Sequence, residues 1–366
     1  MNPLFKQLMG QASRLTLAGD LGTATAAIQD ALARSGMPRP YTEAPVRPDL
    51  DVIDVVAREV IQPSETQPQP QPQPQPMSKD RPQDPAGRFL SATHRDAIGT
   101  LDYKLYVPPG YTGQPLPLVV MLHGCTQNPD DFAAGTGMNE AALAEGFFVL
   151  YPAQSQQANA QRCWNWFKHN HQQRDRGEPA MIANMTRVVM KQYGIDPGQV
   201  YVAGLSAGGA MAAILGEAYP DLFMAVGVHS GLPVGSARDV SSALMAMKNG
   251  APRPASKRAA SAPTIVFHGD RDTTVHPVNG DLLMADLPDG TVMDQEQARS
   301  ANGHAYTRRQ HRDGEGRVVA EQWVVHGSAH AWSGGRTQGS YTDARGPDAT
   351  QEMLRFFKRH ACPAKH

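Results

Sequence analysis

A serine enclosed by small residues stands where a strand pattern gives way to a helix pattern. Ser206 lies in the stretch Gly204-Leu205-Ser206-Ala207-Gly208, after branched apolar residues and before an alanine-rich helical pattern. A backbone that turns this sharply needs small neighbours around the residue at the turn, whose side chain is then held outward. The new helix also directs its positive dipole end toward that point. The pattern predicts a nucleophilic Ser206; the alternative is an ordinary glycine turn.

A serine hydroxyl is a weak nucleophile near neutral pH, so it needs a base, and the base needs an orienting acid. Two later strand ends supply these groups in the chain order Ser, Asp, His. The stretch PTIVFHGDRDTTVHP offers Asp270 and Asp272, of which we favour Asp272 because it lies further into the loop; Asp270 would brace that loop. The stretch QWVVHGSAHAW offers His330, with His326 nearer the strand and expected to be packed. Together they predict acyl transfer through Ser206, Asp272 and His330.

Acyl transfer also needs hydrogen-bond donors for the oxyanion. One donor is expected at the backbone amide after the nucleophile, here Ala207, and another in the loop after an early strand. The stretch MLHGCTQN places Gly124, Cys125 and Thr126 in that loop. We expect the backbone amides of Cys125 and Ala207 to hold the oxyanion.

Composition limits the other classes of function. The chain has 366 residues, 40% of them hydrophobic and 19% charged, which fits one large catalytic domain with an appendage. A formal net charge of −1 means that the chain has no excess of positive charge for binding nucleic acid. No apolar run has the length of a transmembrane helix. The amino-terminal stretch shows neither an uninterrupted apolar core nor a convincing cleavage site, which by itself suggests a cytoplasmic protein.

Residues that often bind metals form no recognisable set. The cysteines Cys125, Cys163 and Cys362 are too few for a disulfide scaffold and match no zinc motif, so small thiols are the simplest expectation. His169 and His171 in FKHNH invite a metal interpretation, but no third ligand accompanies them and we treat them as a solvated loop. The sequence therefore predicts no metal and no organic cofactor.

The chain divides into three parts that differ in composition and in hydrophobic pattern. Residues 1–37 carry two short amphipathic patterns and predict a helical hairpin, whose protein partner the sequence does not identify. Residues 38–87, which contain QPQPQPQPQP, predict a Pro/Gln-rich and largely disordered linker. From 88 to 362, strands alternate with helices, which predicts a mostly parallel sheet with helices on both faces. A hairpin is expected around residues 313–316.

Five ordered motifs resemble the esterases of the polyhydroxybutyrate (PHB) depolymerase family: LHGCTQN, CWNWF, GLSAGGAM, FHGDRDTTVHPVN and HAWSGG. The resemblance extends from about residue 103 to residue 357 and implies an α/β-hydrolase fold with Ser206, Asp272 and His330 as the catalytic triad. It also implies an extracellular enzyme of polyester degradation, in contrast to the absence of a visible signal peptide. Relatives in this superfamily also cleave feruloyl and acetyl esters on plant polysaccharides.

The resemblance suggests roles for two cysteines and three tryptophans. It places Cys125 beside the oxyanion site and Cys163 at the active-site rim, where a disulfide would fasten the loop and a reducing cytosol would leave two thiols. It also makes Trp164, Trp166 and Trp332 candidates for the wall of an apolar substrate site. Aromatic packing in the core is the alternative for these side chains.

We therefore expect a serine carboxylesterase that hydrolyses 3-hydroxybutyrate polymer or oligomers through an acyl-enzyme. A feruloyl or acetyl xylan-type carbohydrate esterase is the alternative on the same machinery. A non-enzymatic alternative is an idle hydrolase-fold binding module, joined by the linker to a partner of the N-terminal helices. An intact triad argues against an idle module.

Overall fold

The structure, a computed structural model, describes residues 85–252, 262–285, 287, 289–301 and 303–362. All of its elements belong to one unit, Met77–His366. The predicted hairpin of residues 1–37 and nearly all of the predicted linker of residues 38–87 lie outside the described residues. These two assignments stay predictions.

The elements alternate along the chain as the sequence pattern suggests. The strands are β1 (Arg88–Arg95), β2 (Thr100–Val107), β3 (Leu118–Leu122), β4 (Phe148–Ala153), β5 (Val200–Leu205), β6 (Ala225–His229), β7 (Thr264–Gly269), β8 (Val292–Arg299), β9 (Ala305–Arg312), β10 (Val318–Val325), β11 (Trp332–Ser333) and β12 (Thr342–Asp343). The helices are α1 (Pro129–Thr136), α2 (Met138–Glu145), α3 (Gly177–Tyr193), α4 (Ala207–Ala218), α5 (Val240–Asn249), α6 (Val278–Leu283) and α7 (Ala349–Arg359), with a short 3₁₀ helix at His169–His171. Among these described helices, none combines the length and apolar content needed to cross a membrane.

Within the described part of the chain, ten strands form one sheet in the order β1-β2-β4-β3-β5-β6-β7-β10-β9-β8. The six central strands, from β4 to β10, run parallel to one another. Antiparallel pairs extend the sheet at both ends, through β2 and β1 on one side and through β9 and β8 on the other. The prediction of a mostly parallel sheet is confirmed, and β9 with β10 forms the expected hairpin.

The central strands are buried on both faces. Every residue of β3 is buried, which explains why this segment is continuously apolar rather than alternating. Because successive side chains of a strand point to opposite faces, Val120 joins a core that includes α3 and α4, and Met121 joins a core that includes α1 and α7. Helices therefore cover both faces, as the sequence predicts.

Some elements differ from the sequence prediction. The stretch PDDFAAGTGMNEAALAEG forms two helices rather than one, because Gly137 adopts a left-handed φ of 66° and ends α1. The edge strand β8 is missed by the pattern because seven of its eight residues are exposed, which removes the alternation of apolar and polar residues. Strand β1, at the opposite edge, and the exposed helix α5 are also not predicted.

The carboxyl ends of four central strands meet at one edge of the sheet. Backbone hydrogen bonds continue the ladder one residue beyond each strand: Ser206 N–H donates to the carbonyl of His229, Ser230 N–H to that of Phe267, and Asp270 N–H to that of Val325, at 2.9, 2.8 and 3.1 Å. Residues that follow β5, β7 and β10 are thereby brought together. These are the segments that carry the predicted nucleophile, acid and base.

Candidate active site

Ser206 lies at the turn between β5 and α4 in a conformation that non-glycine residues rarely adopt. Its φ is 58° and its ψ is −118°, and a sparsely populated conformation of this kind costs about 1–3 kcal/mol. The surrounding fold imposes this conformation, because the N–H of Ser206 is bound to β6 and the next residue begins α4. The serine is thus held at the carboxyl edge of the sheet.

Two glycines beside Ser206 are required because backbone segments approach each other closely. A Cβ atom on Gly208 would lie 2.0 Å from the carbonyl oxygen of Leu122, and one on Gly204 would lie 2.3 Å from the carbonyl oxygen of Gly208. Any side chain at these positions would push α4 away from β3. The small residues around the serine therefore reflect a steric requirement of this turn.

Asp272 and His330 face each other across the loops that follow β7 and β10. Nδ1 of His330 lies 2.6 Å from Oδ2 of Asp272, and Oδ1 accepts hydrogen bonds from the N–H groups of Thr274 and Val275. Burial alone would raise the pKa of Asp272, but hydrogen bonds from His268, His330 and the backbone hold it well below its usual range. The ionised carboxylate fixes a proton on Nδ1 of His330, which leaves Nε2 able to act as a base.

The second candidate acid, Asp270, has different partners. Its Oδ2 lies 2.9 Å from Nδ1 of His326, and its Oδ1 accepts the N–H of Gly327 at 2.7 Å. Burial alone would raise the pKa of Asp270, but these hydrogen bonds lower it. Asp270 thus braces the β10 loop. His326 is half-exposed rather than packed, with its Nε2 2.8 Å from the hydroxyl of Thr307.

Two further buried histidines lie next to the Asp272–His330 pair. Nε2 of His268 is 3.4 Å from Oδ2 of Asp272. His229 is fully buried, and burial together with the neighbouring His268 and His330 lowers its pKa to about 3. Its Nε2 accepts the N–H of Ser333 at 2.9 Å, which fits a neutral ring. A neutral His229 adds no positive charge beside the imidazole that we expect to take up a proton.

The loop after β3 lies against Ser206. A Cβ atom on Gly124 would be 3.7 Å from Cβ of Ser206, and the N–H of Gly124 donates to Oε1 of Gln127 at 2.9 Å. The N–H groups of Cys125 and Ala207 have no acceptor within the described ranges. Ala207 is buried and Cys125 is half-buried, and N–H groups away from water are normally paired, so these two donors are suited to receiving a ligand oxygen.

A disulfide between Cys125 and Cys163 joins this loop to the segment CWNWF, 38 residues further along the chain. A buried carboxylate holds that segment in turn. Glu178 of α3 accepts the N–H of Asn165 at 2.7 Å and the side-chain amide of Gln154 at 2.6 Å. The disulfide therefore anchors the loop with the proposed oxyanion donor to the body of the domain.

The three tryptophans expected at a substrate wall are buried instead. Trp164 and Trp332 have no exposed surface and Trp166 is 5% exposed. Trp164 and Trp166 belong to the core on one face of the sheet, and Trp332 belongs to the core on the other face. Trp332 stacks on His229 with 5.1 Å between ring centroids. The expectation of a shared substrate wall is therefore corrected: these rings pack in the core, because burying them removes large apolar surfaces from water.

Sequence reasoning missed an aromatic residue that does lie at the site. The ring of Tyr341 is 6.4 Å from the ring of His330, and its hydroxyl is 3.2 Å from Oγ1 of Thr126. Thr126 belongs to the loop after β3, residues 123–128, which we call the oxyanion loop for its proposed role. Tyr341 is 46% exposed. A signal was available, since this tyrosine is the single aromatic in the polar, glycine-rich stretch SGGRTQGSYTDARG.

The histidines of FKHNH do not assemble a metal site. Across the described residues, no group of three His, Cys, Asp or Glu side chains is placed to hold a metal ion. His169 is exposed, and its Nε2 lies 3.1 Å from the side-chain amide nitrogen of Gln173. Nδ1 of His171 lies 3.5 Å from the buried carboxylate of Glu178.

Solved structures of other proteins share the architecture of this chain. The acetyl xylan esterase from Aspergillus awamori superposes with a TM-score of 0.56, covering 75% of this chain and 100% of that one at 18% identity. An S-formylglutathione hydrolase from Agrobacterium tumefaciens superposes with a TM-score of 0.50, covering 78% and 99% at 13% identity. At such low identity these likenesses show the fold alone. The fold is that of the α/β-hydrolases.

The chain belongs to the family described as Esterase PHB depolymerase, whose sequence model matches residues 101–310. Poly(3-hydroxyalkanoate) depolymerase C of Paucimonas lemoignei is 30% identical over 244 residues, covering 63% of this chain and 58% of that protein. Acetylxylan esterase A of Talaromyces purpureogenus is 30% identical over 206 residues, covering 50% and 52%. The chain thus spans about half the length of the curated relatives that it matches. The resemblance noted from the motifs is confirmed.

The two aspartates provide a matched test of the acid assignment. Asp272→Asn removes the charge that fixes the tautomer of His330, so we expect kcat for a soluble ester to fall by about 10³–10⁴-fold. Asp270→Asn alters only the brace to His326 and Gly327, so we expect a change of less than about tenfold. Steady-state hydrolysis of 4-nitrophenyl acetate by both variants checks this. A crippled Asp270→Asn beside an active Asp272→Asn would show that the acid is misassigned.

The disulfide is testable against the free cysteine of the same chain. Replacing both Cys125 and Cys163 with serine releases the loop, and we expect the free energy of unfolding to fall by about 2–4 kcal/mol. Ester hydrolysis should slow as well, because the proposed oxyanion donor loses its anchor. Cys362→Ser, at an exposed free thiol, is the control and should change neither quantity. Urea unfolding and kinetics that match the parent protein in the double variant would contradict this role.

Proposed function

We propose that this protein is a serine carboxylesterase of the PHB depolymerase type, which hydrolyses ester bonds of 3-hydroxybutyrate polymer or oligomers through an acyl-enzyme. One observation carries the serine mechanism. The buried, ionised Asp272 lies 2.6 Å from His330 at the same edge of the sheet as the strained turn of Ser206. The carbonyl of His229 accepts the N–H of Ser206 at 2.9 Å, and burial, together with His268 and His330, lowers the pKa of the His229 ring.

The acylation step follows from this arrangement. Nε2 of His330 takes the hydroxyl proton of Ser206 as Oγ bonds to the ester carbonyl carbon, and the carbonyl oxygen becomes an oxyanion. The N–H groups of Cys125 and Ala207 donate to that oxygen. Collapse of the tetrahedral intermediate breaks the ester bond, and Nε2 returns the proton to the leaving alcohol.

Deacylation uses the same groups in reverse. His330 removes a proton from water, and the resulting hydroxide attacks the acyl carbon. The tetrahedral intermediate then releases the carboxylic acid as Ser206 regains its proton. Asp272 stays ionised throughout, because its backbone and imidazole hydrogen bonds hold its pKa low. Its charge stabilises the imidazolium that forms in each step.

Sequence relatives support the polyester assignment over its alternative. The depolymerase of Paucimonas lemoignei aligns over 63% of this chain, whereas acetylxylan esterases such as that of Talaromyces purpureogenus align over 50% of it. An acetyl xylan-type esterase remains the second candidate, because those relatives match at about the same identity. The disulfide between Cys125 and Cys163 supports an oxidising compartment as the site of action.

A substrate panel separates these functions. The enzyme should release 3-hydroxybutyrate from soluble hydroxybutyrate oligomers and from amorphous polymer, with higher kcat/KM than for release of acetate or ferulate from decorated xylan. Ser206→Ala should lower kcat for the best substrate by about 10³-fold or more, since the triad acts as a unit. Release of xylan acetate or ferulate without activity on the oligomers would favour the carbohydrate esterase. Equal rates for Ser206→Ala and the parent protein would contradict the serine mechanism. A parent protein that hydrolyses none of these esters would favour an idle module.

A further inference from the structure

Tyr341 is a large, partly apolar side chain that the proposed mechanism does not use. It is 46% exposed, whereas most aromatic rings of the described residues are buried in the two cores. Its φ of 53° is a left-handed value that bulky residues seldom adopt. An exposed aromatic ring held in a strained backbone conformation suggests a constraint other than packing.

The backbone on both sides of Tyr341 is held firmly. Its carbonyl accepts the N–H of Trp332 at 2.7 Å, in the short pairing of β11 with β12. The preceding residue, Ser340, donates its N–H and its hydroxyl to the carboxylate of Asp131, and its carbonyl accepts from the side chain of Gln127 at 3.2 Å. Gln127 also binds the oxyanion loop. The ring is therefore fixed relative to both the histidine segment and the oxyanion loop.

The hydroxyl of Tyr341 has a defined role in this placement. Oγ1 of Thr126 donates to the carbonyl of Cys125 at 2.6 Å, so its oxygen is left to accept the O–H of Tyr341 at 3.2 Å. The ring is directed edge-to-face toward His330, with 80° between the two planes. The tyrosine thus bridges Thr126, the neighbour of the proposed oxyanion donor Cys125, and His330, the residue proposed to protonate the leaving group.

The position of Tyr341 next to His330 favours contact with the alcohol part of the ester. The leaving oxygen of the ester must lie within hydrogen-bond reach of His330, since the imidazole returns its proton there. Atoms attached to that oxygen must therefore lie close to the imidazole, and the exposed ring of Tyr341 is 6.4 Å from the His330 ring. An aromatic face binds the apolar surface of a chain or of a sugar ring.

We propose that Tyr341 forms a subsite for the alcohol portion of the ester, meaning the part that leaves with the oxygen. The occupant is a group with an extended apolar surface, such as the next hydroxyacyl unit of a polyester or a sugar ring. This inference rests on the proposed serine esterase mechanism, but it applies to either substrate class. Tyr341 is a positioning residue and takes no part in proton transfer.

The test compares esters that share an acyl group and differ only in the alcohol. For the parent protein, kcat/KM for 2-phenylethyl acetate should exceed that for ethyl acetate. Tyr341→Ala should lower this ratio by about tenfold, chiefly through KM for the larger ester. Tyr341→Phe keeps the ring and should keep the ratio within about twofold, since the lost hydrogen bond to Thr126 is neutral and exposed. Leu143→Ala, at a side chain of similar exposure (42%) on α2, is the matched control and should leave the ratio unchanged.

Two further comparisons make the outcome decisive. Tyr341→Asn suits the left-handed backbone and must reproduce the loss seen with alanine, which excludes a folding defect as its cause. The ratio for ethyl butyrate over ethyl acetate, which varies the acyl part, should stay unchanged in all variants. An unchanged alcohol ratio in both Tyr341→Ala and Tyr341→Asn, or a loss confined to the acyl series, would overturn the proposed subsite. Ethyl acetate hydrolysis that survives Ser206→Ala would instead overturn the proposed function.

Discussion

The site depends on one close approach of backbone to backbone, where α4 begins directly over the end of β3. The carbonyl oxygen of Leu122 leaves no room for a Cβ on Gly208, and Gly204 is confined by the turn itself. This approach forces the chain through the strained conformation of Ser206, and it places the first N–H of α4 beside the oxyanion loop. The positions of the proposed nucleophile, of the helix dipole and of the proposed oxyanion donors therefore share one steric cause. A larger residue at Gly208 would displace all of them together.

The electrostatics of the sheet edge complement this steric arrangement. Backbone N–H groups and imidazoles stabilise the ionised form of Asp272, while burial keeps His229 neutral. One negative charge therefore lies next to His330, with no competing positive charge on His229. An imidazolium that forms during the reaction is stabilised where it arises. The preorganised carboxylate needs no solvent reorganisation, because it is already buried and hydrogen-bonded.

The sequence predicts the parts of this site that depend on local pattern. Each of the three residues Ser206, Asp272 and His330 follows an apolar strand, and parallel strands bring such positions to one edge of the sheet. The same alternation of apolar strands and helices predicts the fold class. The tryptophans could not be placed in this way, because the face of the sheet that each one packs against is set by tertiary contacts on both sides of β3 and β5. Sequence reasoning missed Tyr341 because its neighbours along the chain are polar. Its contact with Thr126 joins residues that are 215 positions apart, and its contact with His330 depends on how the segment between them folds back. Strand β8, exposed along most of its length, carries no pattern to detect.

The proposed mechanism requires that Ser206 be a reactive nucleophile, activated by His330 and Asp272. Labelling with a fluorophosphonate followed by peptide mapping tests it most directly, because the reagent reports activation of the hydroxyl without reference to any substrate. We expect one phosphonyl group per chain, on Ser206, with labelling that is strongly slowed in His330→Ala and absent in Ser206→Ala. Intact protein that resists the reagent, or a phosphonyl group on another residue, would contradict it.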